Sequence, residues 1–181
     1  MNASSSRRIL VACIGNIFMG DDGFGVEVAQ QLFKQRSKYG ETIEIVDFGI
    51  RGIELAYSLL DAYEVLILVD AVPRGGAPGT LYLLEPDLTT LRVEQTPDAS
   101  RFMLDSHSLD PMKVLLFAQT LGAHPIRTLI VGCEPTHPSA SADYEEMCMG
   151  LSASVQAAIP EAITMIDTLL AELTSQKTIQ L

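Results

Sequence analysis

Two stretches of this chain are apolar at every position, Ile9-Leu-Val-Ala-Cys-Ile14 and Val65-Leu-Ile-Leu-Val69. A strand with one wet face alternates apolar and polar residues, and a strand covered on both faces does not. Each run therefore predicts a strand in the interior of a sheet. The first gives out at Gly15-Asn16 and the second at Asp70. Between them, Thr42 to Val46 predicts a further strand that stops at Asp47. From Gly25 onward, Val26, Ala29, Leu32 and Phe33 recur at helical spacing with Gly40 as a stop, and Ile53, Ala56, Leu59 and Leu60 mark a short helix.

Pro73 to Gly79 is rich in glycine and proline and reads as a loop, after which Thr80 to Glu85 alternates like a strand nearer an edge. Residues 86 to 106 show little periodicity and predict a long surface excursion, of the kind that contributes to partner choice. Asp110-Pro111 is a helix start, with Asp as N-cap and Pro in the first turn; Met112, Leu115, Leu116 and Leu121 supply the stripe and Gly122 the stop. Thr128 to Val131 predicts a fifth strand and Glu134 to Asp143 a polar loop. Pro160 is expected to open a last helix with Ile163, Ile166, Leu170 and Leu173 inward. Strands alternating with helices predict an α/β sandwich around a largely parallel sheet. With no repeat and no linker, residues 1–181 read as a single domain, with loose tails at 1–7 and about 175–181.

Composition narrows the class. The chain has 181 residues, 48% of them hydrophobic and 19% charged, which suits one globular domain. Its net charge of −11 argues against nucleic acid as a partner and suits cations or basic peptides. Cys13, Cys133 and Cys148 are too far apart for a zinc knuckle or redox pair, and the first two sit in apolar runs as small core residues. Arg7-Arg8 precede an apolar run that ends at once in Gly15-Asn16 and Asp21-Asp22, which is no export signal, and no run reaches the ~20 residues of a membrane span. The expectation is a cytoplasmic protein.

In open α/β sheets ligands collect beyond the carboxyl ends of the strands. There the first strand enters Gly15-Asn-Ile-Phe-Met-Gly-Asp-Asp-Gly-Phe-Gly25, the third enters Asp70, and His107 stands just ahead of the Asp110 helix. Asp22, Asp70 and His107 form a partial shell for a divalent transition metal, without choosing among Mn, Fe, Ni and Zn. Each also has a plainer reading: Asp22 as a helix cap, Asp70 as a paired carboxylate, His107 as a surface or capping residue. His124 and His137 read as surface residues. A dinucleotide fingerprint would need glycine where Cys13 and Phe18 stand, and no P-loop or G-x-S-x-G elbow occurs. A hydrolase of this sequence would activate water by a metal or a carboxylate.

Gly15-Asn16 and Asp21-Asp22-Gly23-x-Gly25 after an opening strand resemble the signature of the [NiFe]-hydrogenase maturation endopeptidases. Asp47-Phe-Gly49-Ile-Arg-Gly52 with Glu54-Leu55, Leu66 to Ala71, Ser106-His107, Val131 to Pro135 and Gly150 to Pro160 resemble further segments of that family, in order, from about Arg8 to Leu173. The resemblance implies a three-layer α/β/α sandwich with a twisted, mostly parallel five-stranded sheet. It implies a nickel-dependent, aspartic-type endopeptidase that removes the C-terminal extension of the immature hydrogenase large subunit, and a monomer. Asp22, Asp70 and His107 fall on the positions that contact nickel, which the substrate supplies, and Asp47, Gly49 and Gly52 border the docking cleft. Two departures stand out: Cys13 replaces a glycine common in the family, and Ile50 a threonine. A non-catalytic nickel-checking or chaperone module would use the same three residues.

Overall fold

The computed structural model describes residues 7–87, 111–136 and 149–175. Strand β1 (Ile9–Ile14) pairs on one side with β2 (Ile43–Gly49) and on the other with β3 (Val65–Ala71). Strand β5 (Arg127–Cys133) pairs with β3, and β4 (Leu81–Leu84) closes the far edge. The order is β2-β1-β3-β5-β4, parallel except for β4. The two all-apolar runs are thus neighbours, in register from Ile9 against Val65 to Cys13 against Val69.

Side chains alternate across these strands and feed two apolar layers. Ile9, Val11, Cys13, Val65, Ile67, Val69, Leu129 and Val131 face α1 (Phe24–Lys34) and α4 (Ala153–Ser175). Leu10, Ala12, Ile14, Leu66, Leu68 and Ile130 face α2 (Gly52–Ser58) and α3 (Pro111–Thr120). This is the three-layer sandwich that the family resemblance implies. Each of the fully buried Leu and Ile side chains contributes about 1.5–3 kcal/mol to burying the sheet.

Helix faces depart from expectation in particular places. In α1 the inward row runs through Phe24, Val28 and Leu32, and Phe33 is turned out. In α2, Leu55 and Ala56 point in with Leu59 just beyond, and Ile53 and Leu60 are exposed. Helix α3 buries Val114, Leu115 and Ala118 in place of Leu121. Residue Pro160 does not open the last helix; it lies inside one that starts at Ala153. A proline ring removes one i→i−4 bond, here the bond to Gln156. Both Pro160 and Gln156 are exposed, so water can satisfy the released carbonyl, while Val155, Ala158, Ile159 and Ala162 hold the inner face to the sheet. No helix among the described residues is long and apolar enough to cross a membrane.

Candidate active site at the carboxyl ends of the strands

The chain leaves β1 toward β2 on one side of the sheet, and leaves β3 toward β5 and β4 on the other. The carboxyl ends of β1 and β3 are therefore the switch point, where a crevice opens. The start of α1 is packed tightly against them. A β-carbon on Gly25 would overlap the backbone oxygens of Ile14 and Val69, so only glycine lets the helix sit this close. The positive N-terminal end of α1 favours negative groups nearby.

A compact loop links β1 to α1. Gly15, at φ +140°, donates its N–H to the Gly49 carbonyl at 3.0 Å, tying this loop to the end of β2. Asn16 donates its N–H to the Asp22 carbonyl at 3.2 Å and to Asp22 Oδ2 at 2.9 Å. The Asn16 side chain accepts the Phe18 N–H at 3.0 Å. A single 3-10 turn, Gly20–Gly23, then carries the aspartate pair.

Asp22 is half-buried, and burial raises its pKa above the ordinary aspartate range against the opposing Asn16 N–H. Its Oδ1 accepts no hydrogen bond among the described residues. Asp70, next to last in β3, is 7% exposed, and its Oδ1 accepts the Ala71 N–H at 2.8 Å. Strand alternation puts Asp70 in the row of Leu66 and Leu68, on the α2/α3 side of the sheet. The structure thus brings the segments bearing Asp22 and Asp70 to one crevice. His107 lies outside the described residues, as do Asp110, His137, Cys148 and most of the 86–106 excursion. Among the described residues, no three His, Cys, Asp or Glu side chains converge on one metal position.

The three positions expected at the docking cleft share one border of the crevice. Asp47 pairs with Cys13 just before the register of β2 against β1 shifts, Gly49 turns the chain at φ +51°, and Gly52 begins α2. Arg51 folds back to donate to the carbonyls of Phe48 and Asp47 and to Glu54. Ile50, where threonine is common in the family, is 62% exposed. Neither described cysteine is a nucleophile: burial, then Asp47, pushes the Cys13 thiol far up, and burial, then Asp21 and Glu134, pushes Cys133 up to about 12.

The profile of the family described as HycI, hydrogenase maturation protease, matches residues 26–169. The chain belongs to the hydrogenase maturation proteases. The hydrogenase expression/formation protein HupD of Rhizobium leguminosarum bv. viciae is 33% identical over 156 residues, covering 86% of this chain and 70% of that one. HupM of Azotobacter chroococcum mcd 1 is 33% identical over 168 residues, 93% of this chain and 74% of the relative. Among solved structures, the maturating endopeptidase HybD from E. coli superposes with a TM-score of 0.65 at 26% identity, covering 91% of this chain and 93% of that one. A hydrogenase 2 maturation peptidase from Thaumarchaeota archaeon SCGC_AB-539-E09 gives 0.64 at 30% identity, over 91% and 99%.

Two carboxylates of this maturation protease escaped the sequence reading. Asp21 accepts hydrogen bonds from the Thr136 and Ser152 N–H groups and the Ser152 hydroxyl. Burial raises its pKa, but these bonds outweigh burial and hold it below the usual range. Glu134, directly after β5, is 4% exposed. It accepts the N–H groups of Arg74 at 2.8 Å and Gly75 at 3.0 Å and the Tyr82 hydroxyl at 2.8 Å. It too is held below its usual range by these bonds against the effect of burial. Glu134 heads a segment expected to be a polar loop. The available signal was its position directly after an apolar strand, the same signal that marked Asp70.

Proposed function

We propose that this maturation protease cuts the C-terminal extension from a hydrogenase large-subunit precursor that already carries nickel, and that Asp22, Asp70 and His107 meet that nickel from the protease side. The observation that carries this reading is the arrival of two carboxylates, one from the turn after β1 and one from the end of β3, at the single switch point of the sheet. Carboxylate and imidazole ligands suit a first-row divalent metal. His107 stands four residues ahead of α3. Helix α3 covers the sheet face toward which Asp70 projects, and it leads directly into β5, which runs parallel to β3. Its N-terminal end therefore lies at the carboxyl ends of the strands.

On this reading the metal arrives as part of the substrate and is held there by the precursor's own ligands. Asp22 and Asp70 complete its shell and so fix the scissile peptide against the crevice. The Asn16 N–H orients Asp22 through Oδ2, which leaves Oδ1 for the metal; the Ala71 N–H orients Asp70 through Oδ1. Peptide cleavage then needs one water, whose oxygen joins the scissile carbon as the C–N bond breaks and whose proton goes to the departing amine. The border formed by Asp47, Gly49 and Gly52 receives the precursor chain, with exposed Ile50 in place of a hydroxyl.

The test follows the mass of a large-subunit precursor incubated with the protease, with and without nickel loading, for the wild type and His107→Ala. Loss of a C-terminal peptide only from the loaded precursor, abolished by the substitution, is expected. Equal cleavage without nickel would remove the metal from the mechanism. Tight binding of loaded precursor without shortening would make this chain a nickel-checking module.

A further inference from the structure

Asp22 has a part in this reading, and Asp21 beside it does not. Yet Asp21 is the more heavily bound, at 9% exposure. Its Oδ1 accepts the Ser152 N–H at 2.6 Å, and its Oδ2 accepts the Thr136 N–H at 2.8 Å and the Ser152 hydroxyl at 3.0 Å. That hydroxyl accepts in turn from the Thr136 hydroxyl at 2.8 Å and from the Val155 N–H at 3.4 Å, so its one donor and two acceptor positions are all used. The Ser152 carbonyl accepts the Gln156 N–H at 2.8 Å, which makes Ser152 the N-cap of α4. One carboxylate therefore joins the turn after β1, the exit from β5 and the start of α4. Successive side chains in a 3-10 turn diverge by about 120°, so anchoring Asp21 toward α4 directs Asp22 elsewhere, to the Asn16 N–H.

We propose that Asp21 is a positioning residue of the protease: by binding Thr136 and Ser152 it sets the rotation of the Gly20–Gly23 turn and thereby the place of the Asp22 carboxylate at the switch point. This rests on the reading of Asp22 as a group that meets the substrate's nickel. The clamp requires acceptors only. Three donors converge on two oxygens, and an amide in their place would turn its NH₂ against at least one of them.

Asp21→Asn and Ser152→Ala are compared with the wild type in two measurements. One is kcat and KM on nickel-loaded precursor. The other is amide hydrogen exchange at Asn16, which reports the contact with Asp22, read beside the amides of β1 and β3. Asp21→Asn is expected to lose about tenfold or more of the Asn16 protection with β1 and β3 unchanged, and to lower kcat about 10–100-fold with KM altered less than about threefold. Ser152→Ala keeps both backbone donors and shows the same pattern at smaller amplitude. Unchanged Asn16 exchange overturns the proposal, as does wild-type kcat. Equal loss of protection in β1 and β3 also overturns it, because Asp21 would then anchor the fold alone. If Asp21→Asn does not fold, Ser152→Ala decides by the same criteria. If the wild type leaves the loaded precursor uncut, the nickel reading fails, and Asn16 exchange still decides whether Asp21 holds the turn.

Discussion

The two ends of the sheet use carboxylates in opposite ways. At the amino ends, acids meet arginines across the surface. Glu64 lies 3.5 Å from Arg7, Glu44 lies 3.7 Å from Arg8, and Glu85 lies 2.7 Å from Arg127. Apart from the half-buried Arg7 these side chains are exposed, and exposed pairs contribute little. At the carboxyl ends, Asp21, Asp22, Asp70 and Glu134 are buried or half-buried, and the partners described for them are chiefly backbone N–H groups. A backbone donor has no rotamers to search and cannot swing away, so it places a carboxylate with little freedom. Geometry is fixed where chemistry is expected, and charge is merely balanced where it is not.

Four changes would break or sharpen this contrast. The largest effect belongs to Gly25→Ala, whose methyl group would overlap the Ile14 and Val69 carbonyl oxygens. Chemical denaturation should show a loss of about 3 kcal/mol or more. Next is Asp22→Asn, for which cleavage of nickel-loaded precursor should fall about 100-fold. Burial works against this carboxylate, so the melting temperature should hold or rise. Third, Asp21 and Glu134 have folded pKa values below their unfolded ones of about 3.9 and 4.3. The stability they add is complete above those unfolded values and is lost as pH falls through the folded ones. Melting curves against pH should therefore collapse below about pH 4, and Glu134→Gln, less stable near neutrality, should show a shallower acid slope. The smallest effect is Arg8→Ala at the amino end. Arg8 and Glu44 are exposed, the Tyr63 ring 4.6 Å from Arg8 is buried with or without it, and the change should cost less than about 1 kcal/mol by the same denaturation assay. A loss of several kcal/mol there would erase the distinction between the ends.

These differences also mark what could be read from the sequence. Strands β1 and β3 were legible because burial on both faces forces unbroken apolar runs, and Asp70 was legible because a carboxylate closes one of them. The edge position of β4 followed from its alternation. Helix faces were less legible. Phe33 and Leu121 fit a helical stripe as well as Val28 or Ala118 does, and only packing against the sheet chooses between registers. Pro160 was read as a start because a proline normally ends or begins a helix; its tolerance depends on which side of α4 it occupies. The clamp on Asp21 was not legible at all, since its partners lie 115 and 131 residues away and its three donors are two backbone amides and a serine hydroxyl of no special sequence pattern.

That separation bears on the order in which the protein is made. Chains fold largely as they emerge, amino-terminal part first, and contacts between distant residues close late. The two central strands, β1 and β3, have both been synthesised by residue 71, long before Ser152. A nascent chain halted in between would carry Asp22 and Asp70 with the Asp21 clamp still open. The contacts that hold the Gly20–Gly23 turn thus include residues made late, at the exit from β5 and the start of the final helix.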